Sequence, residues 1–178
     1  MTDIIIYMNN IIIKDDVLSI VKMDKSMYHD VWQNSLDENN RQFVPDEVFE
    51  TLEEAKEVVD AIISWYESTD GPFIYAVIRN SDSTNLGYVQ LVNIPEGTEI
   101  GYHIAKKYNG NGYASKAVSL FLKYLKDNTD VKEIYGIALA DNFASRRVLE
   151  KNGFKLYFEG DGPYQGQTRK IIKSIIRL

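Results

Sequence analysis

Residues 104–118 read IAKKYNGNGYASKAV. Gly110 and Gly112 stand just ahead of apolar positions Ala114, Ala117, Val118, Phe121, Leu122 and Leu125. That spacing follows one face of a helix without a miss. Glycine lets the backbone turn its N–H groups inward and lets a ligand approach without meeting a Cβ. Such N–H groups at the positive end of a helix dipole form an anion site, suited to phosphate or pyrophosphate. A P-loop would need Gly-Lys-Ser/Thr, but Tyr113-Ala114 follow Gly112; a dinucleotide fingerprint would need a third glycine where Ser115 stands. From the glycines alone, a plain strand-to-helix turn is an equal reading.

Two ionisable residues precede this loop. Glu99 and His103 lie four apart and share one face of a strand by its period of two. A carboxylate or an imidazole there could move a proton; a surface or ion-paired Glu and a packed His are the plainer readings. Residues 138–154, ALADNFASRRVLEKNGF, put Asn142 at the start of a helix and Ser145 close behind it. Asn is a good N-cap, and Gly153-Phe154 reads as a helix C-cap followed by a core aromatic. The chain has no cysteine, and His29 and His103 are far apart. Thiol nucleophiles, disulfides, Cys-based zinc sites and an HxxxH metal pair are therefore excluded, and no metal is expected.

Elements must position these residues. Leu18–Met23 reads as a strand and Lys25–Ser35 as a helix. Residues 37–50 are polar, broken by Pro45, and read as a loop. Thr51-Leu52-Glu53-Glu54 is a capping box opening a helix to about Tyr66, which Gly71-Pro72 stops. Phe73–Arg79, Leu86–Ile94 and Thr98–Ala105 read as consecutive strands. A helix from Gly112 to about Lys126 follows, then a strand at Lys132–Ala140, a helix at Asn142–Asn152, and strands at Phe154–Gly160 and Arg169–Arg177. The three-strand run suits an antiparallel meander, and strand–helix–strand suits a parallel crossover. The expected fold is α+β in three αβα layers, with a mixed, mostly antiparallel sheet of about six to seven strands and helices on both faces. One domain spans 1–178, with 1–17 as an N-terminal extension.

Composition agrees. Of 178 residues, 44% are hydrophobic and 12% aromatic, enough for a core. The net charge of −6 comes without a Lys/Arg stripe, so nucleic acid is not expected as a partner. An acidic surface is compatible with a cationic amine. No apolar run approaches the ~20 residues of a membrane span. Ile4–Tyr7 and Ile11–Ile13 are interrupted by polar residues, and a basic leader is missing. The expectation is a cytoplasmic protein, monomer or homodimer, with no membrane partner.

The two glycine- and asparagine-bearing segments together resemble the GNAT superfamily of N-acetyltransferases. Its pyrophosphate loop falls on Asn109-Gly110-Asn111-Gly112-Tyr113-Ala114, and its later signature on Asn142, Ser145, Gly153 and Phe154. EIGYHI before the loop and GNGYASKAV in it look most like the branch of ribosomal-protein N-terminal acetyltransferases (RimJ/RimL-like). The resemblance covers roughly residues 18–177, with its motif core at about 98–155. It implies acetyl-CoA as acyl donor and an amine acceptor, either a small molecule or a protein N-terminus. It further implies that the amides of residues 109–114 hold the pyrophosphate, that His103-Ile104-Ala105 pairs with pantetheine, and that Asn142 bonds the pantetheine arm beside Ser145.

Two positions depart from the family pattern. Asn109 replaces the usual Arg or Gln, and Leu149 replaces the tyrosine that usually protonates the departing thiolate; Ser145 is the substitute the resemblance suggests. An alkylamine has a pKa of ~10 and must lose a proton to attack. Glu99 is the first candidate base and His103 the second, and a backbone N–H near Ile104 could polarise the thioester carbonyl. Tyr102, Trp32, Phe43 and Tyr164 are candidate acceptor-pocket residues. The alternative function is a non-catalytic acyl-CoA-binding regulatory module.

Overall fold

A computed structural model describes residues 10–68 and 71–178 of the chain. In chain order its elements are β1 (Ile11–Lys14), β2 (Leu18–Lys22), α1 (Tyr28–Ser35), α2 (Glu38–Phe43), α3 (Leu52–Trp65), β3 (Phe73–Arg79), β4 (Thr84–Ile94) and β5 (Gly97–Ile104). Then come α4 (Tyr113–Asn128), β6 (Glu133–Leu139), α5 (Phe143–Lys151), β7 (Lys155–Tyr164) and β8 (Gln167–Arg177). Short 3₁₀ turns lie at Lys25–Met27, Pro45–Glu47 and Lys106–Tyr108.

The strands form one sheet in the order β1-β2-β3-β4-β5-β6-β8-β7. Every neighbouring pair is antiparallel except β5–β6. The α4 crossover makes that one pair parallel, as a strand–helix–strand unit must. Alternation along the strands feeds two cores. Tyr75 and Val77 on β3, and Ile100 and Ile104 on β5, pack with Phe121 and Leu125 of α4 and Leu149 of α5. Ala76 and Ile78 on β3 pack on the opposite face with Val59 and Ile62 of α3 and Met27. The result is the expected three-layer arrangement.

Most boundaries fall where the sequence places them. The capping box is present: Thr51 Oγ1 accepts from Glu54 N at 3.2 Å, and Glu54 Oε2 accepts from Thr51 N at 3.4 Å. Ala117, Val118, Phe121, Leu122 and Leu125 of α4 are buried as their spacing predicts.

Two expectations change. The sheet has eight strands. The added one is β1, whose Ile13 pairs with Ile20 of β2, inside the segment read as an extension. The rest of that extension, residues 1–9 with the apolar Ile4–Tyr7, lies outside the described residues. Residues 37–50 are not simply a loop: Glu38–Phe43 forms α2, with Asp37 as its N-cap. Pro45 lies past the helix end and marks its stop rather than preventing it. Among the described residues no helix is long and apolar enough to cross a membrane.

Gly87 fixes how closely β4 and β5 approach. It sits at a shift of register with β3, with φ of +149°, and a Cβ there would run into the carbonyl oxygen of His103. Gly87→Ala is expected to lose about 3 kcal/mol of stability, combining strain and overpacking of ~1–3 kcal/mol each. The reading is the urea midpoint; a wild-type midpoint would mean that β5 moves aside at no cost.

Candidate active site

The glycine loop leaves its backbone amides open. Gly110 and Gly112 have φ of +83° and +77°, and a Cβ on either would meet nothing within 4 Å. Crowding inside the chain is therefore not what calls for glycine; the open space lies where a ligand would approach. Gly112 is the N-cap of α4 and supplies no side-chain cap. The N–H groups of Gly110 through Ser115 have no acceptor among the described residues. Asn109 differs, since its N–H donates to Lys106 O at 3.1 Å. Its side chain is exposed, and that of Asn111 turns back on the loop, donating to Tyr108 O at 2.9 Å. Five of the six loop amides named from sequence, those of Gly110, Asn111, Gly112, Tyr113 and Ala114, thus remain for a ligand.

Beside this loop the sheet opens. β5 and β6 share one register pair, Glu99 with Tyr135, although β5 runs on to Ile104 and β6 to Leu139. Ile104 pairs with Gly87, while Ala105 N donates to Leu86 O at 2.9 Å. In an antiparallel ladder this makes Ile104 a residue whose N–H and C=O point away from β4. They face the gap between β5 and β6. An extended ligand arm could pair there, as an added half-strand would.

Glu99 and His103 lie on the α1/α3 face of β5, opposite Ile100 and Ile104. Burial pushes the Glu99 carboxyl up to about 7; the nearby charges of Glu96 and Glu47 add to the push, while a hydrogen bond from Ile137 N–H and the charge of Lys173 oppose it. Gln90 lies over Gly101 between the two residues. Its Nε2 donates to Glu47 Oε1 at 3.3 Å. Burial also pushes Glu47 up to about 7, helped by Asp46. His103 Nε2 is 3.2 Å from Asp37 Oδ2, off the line that a hydrogen bond needs. Asp37 does more: it accepts from Asn40 N at 3.0 Å and from Lys106 N at 2.7 Å. One carboxylate thus caps α2 and ties it to the end of β5.

On the other face, Tyr102 OH lies 2.8 Å from Ser145 Oγ and donates to Ser145 O at 3.0 Å. Burial raises the Tyr102 phenol above its ordinary value, so it keeps its proton. Asn142 caps α5, accepting from Ser145 N at 3.0 Å, which leaves its Nδ2 without a partner among the described residues. Leu149 is buried against Gly136 of β6. Residue 149 thus carries no hydroxyl, and the one beside Ser145 comes from Tyr102.

Of the other aromatics, Tyr164 donates to Phe43 O at 3.2 Å, joining the β7–β8 hairpin to α2. Trp32 packs edge-on against His29 with ring centroids 5.7 Å apart and lines no part of the cavity beside His103. Sequence reasoning passed over Asp37 and Glu47, both inside the segment read as loop. Asp37 left a capping signal before Glu38. Glu47, on an irregular turn, left none.

Residues 19–155 match the family described as "Acetyltransferase (GNAT) domain". The chain is 27% identical over 138 residues to "Uncharacterized N-acetyltransferase YoaA" of Bacillus subtilis (strain 168), covering 71% of this chain and 77% of that one. It also superposes on an acetyltransferase (GNAT family) from Bacillus anthracis with a TM-score of 0.79 at 24% identity, covering 93% of this chain and 97% of the other. With RimL, the ribosomal L7/L12 α-N-protein acetyltransferase in complex with coenzyme A, the TM-score is 0.81 at 19% identity, covering 94% and 98%. At these identities the two solved structures bear on the fold alone.

Asp37 yields a pH prediction. Burial pulls its carboxyl up, but the close His103 ring and the bonds from Asn40 and Lys106 outweigh that and hold it down to about 2, against an ordinary 3.8. A depressed carboxylate stabilises the fold above its unfolded pKa and loses that contribution as pH falls through the folded value. The stability difference between wild type and Asp37→Asn should therefore shrink as pH falls from 3.8 towards 2. Urea unfolding across that window checks it; a difference independent of pH would show that the Asp37 charge does not hold α2 to β5.

Proposed function

The chain belongs to the GNAT acetyltransferase family, and from that premise we propose that it moves an acetyl group from acetyl-CoA to a primary amine by direct attack within a ternary complex. The supporting observation is the row of free N–H groups from Gly110 to Ser115 at the head of α4, next to a β5 edge that β6 leaves open. Peptide N–H groups at a helix start suit the CoA pyrophosphate. The free edge at Ile104 suits the pantetheine amides, and Asn142 Nδ2 stands ready for a carbonyl of the same arm. The thioester supplies an acyl group activated for attack by a neutral amine.

The residues of the chain then divide the proton work. Attack forms the new C–N bond and breaks the C–S bond; the amine loses a proton and the sulfur gains one. Glu99 takes the amine proton in this scheme. A carboxyl with a pKa of about 7 is half ionised near neutrality and is a far better proton acceptor than an ordinary one. His103, held by Asp37, is the second candidate. The Tyr102–Ser145 hydroxyl pair faces the departing sulfur and supplies its proton. The backbone N–H of Ile104 points into the gap, where it can polarise the thioester carbonyl. The acceptor is a small amine or a protein N-terminus, and a cytoplasmic location suits either.

Gly112→Asp tests the anion cradle. Its carboxylate would stand against the pyrophosphate, and acetyl-CoA affinity by calorimetry should fall at least tenfold, about 1.4 kcal/mol. Wild-type affinity in the folded variant removes this loop from the binding scheme.

Glu99→Gln tests the base. The variant should keep acetyl-CoA binding and lose kcat by ~10²-fold or more. Wild-type kcat should rise as pH passes through about 7, where Glu99 becomes ionised, and that step should vanish in the variant. His103→Gln is the matched control. An active Glu99→Gln beside a dead His103→Gln would transfer the role to the histidine.

A further inference from the structure

A cavity of about 200 Å³ lies on the α1/α3 face of the sheet, beside His103. Met23, Val31, Phe49, Val58 and Ile62 give it apolar walls. Of the polar side chains that also line it, three are each held by one atom and free at the other. Asn40 Nδ2 donates to Ser35 O at 3.2 Å, while Asn40 Oδ1 has no partner. Asn85 Oδ1 accepts from Gly87 N at 3.1 Å, while Nδ2 has none. Glu47 Oε1 accepts from Gln90, while Oε2 has none. Asn40 and Asn85 are only 1% and 4% exposed, so water outside the fold does not serve them. Buried polar atoms are normally paired, and several unpaired ones around a single cavity mark a place for a guest.

Resting on the acetyl-transfer reading above, we infer that this cavity holds the non-reacting end of the acceptor, and that the acceptor is a small primary amine with an apolar body of about a phenyl ring's size and no carboxylate beside its nitrogen.

Size sets the first limit. One buried water needs only ~10–15 Å³, whereas an apolar cavity of ~150 Å³ admits benzene. Charge sets the second. Asp46 and Glu47 line the cavity, and their charges with that of Glu99 all reach the Tyr164 hydroxyl, against Arg169 alone. They favour an ammonium and repel a carboxylate, which disfavours free amino acids. The apolar walls set the third limit. A polyamine would set a second ammonium among Met23, Val58 and Ile62, with Asn40 Oδ1 as the one free acceptor once Glu47 holds the first, a cost that a hydrocarbon body avoids. A peptide N-terminus would bring a run of amides, more than the free atoms of Asn40 and Asn85 can pair. Glu47 lines the cavity and its charge acts on Glu99, so an amine held at Glu47 is near the candidate base.

The test is a calorimetric titration of the whole protein, with and without CoA, using 2-phenylethylamine, phenylalanine, spermidine and a short peptide with a free N-terminal serine. 2-Phenylethylamine should bind at least tenfold more tightly than the other three. Val58→Trp, which fills the cavity, should weaken it tenfold or more with CoA affinity unchanged. Equal or weaker binding of 2-phenylethylamine overturns the inference, as does a Val58→Trp variant that binds it normally, or a cavity that takes no amine and holds only water. If Val58→Trp fails to fold, Ile62→Ala enlarges the same cavity. The preference should then move to the bulkier 2-(1-naphthyl)ethylamine, and an unchanged ranking overturns the inference. CoA binding without amine binding sinks the cavity assignment alone. Amine binding without CoA binding supports it and sinks the acetyl-transfer reading instead.

Discussion

β5 and β6 meet at one residue pair and then part, and the organisation of the site follows from that parting. Strand backbone groups need partners, so an unpaired edge inside a sheet is costly unless something fills it. Neither strand can swing back to close the gap. β5 is held along its whole length by β4, from Gly97 to Ile104, with Gly87 allowing close approach at the far end. β6 is held by β8 from Glu133 to Leu139. The gap is therefore held open by the pairing on either side, and the N–H and C=O of Ile104 are presented into it. The loop that leaves β5 enters α4 at once, which sets the uncapped amides of Gly110–Ser115 next to the same opening.

The two faces of β5 have taken different tasks because a strand alternates its side chains. On the α1/α3 face stand Glu99 and His103, joined by Glu47 from the chain before α3 and by Asp37 from the cap of α2. On the α4/α5 face, Tyr102 reaches Ser145 at the start of α5. The carboxyl and imidazole groups are thus separated from the Tyr102–Ser145 hydroxyls by the thickness of the sheet. Desolvation is the common cause of the raised Glu99, Glu47 and Tyr102 values. Asp37 behaves oppositely, since two backbone donors and the His103 ring converge on it and outweigh its burial.

Much of this was legible in the chain. The α4 stripe, the capping box at Thr51–Glu54 and the strand–loop–helix at Gly110 and Gly112 are local signals with local causes. The period of two placed Glu99 and His103 on one face, and so the structure has them. The eighth strand was not legible, because IIIK is short and sits among polar residues; it becomes a strand only when β2 offers a partner. α2 was hidden by Pro45, which stands beyond its end. Glu47 belongs to a 3₁₀ turn whose composition is that of any polar connection.

What the sequence determined by itself was therefore local: which segments are helix or strand, where the glycine turn ahead of α4 lies, and which titratable residue types are present. Those properties depend on neighbours one to four positions away. Tertiary structure alone decided the environments: that Glu99 is buried enough to titrate near neutrality, that Asp37 meets His103 and Lys106 from 66 and 69 residues away, and that Tyr102 rather than residue 149 carries the hydroxyl beside Ser145. Desolvation and long-range hydrogen bonds depend on which distant segments come to surround a group, and no spacing within one segment encodes that.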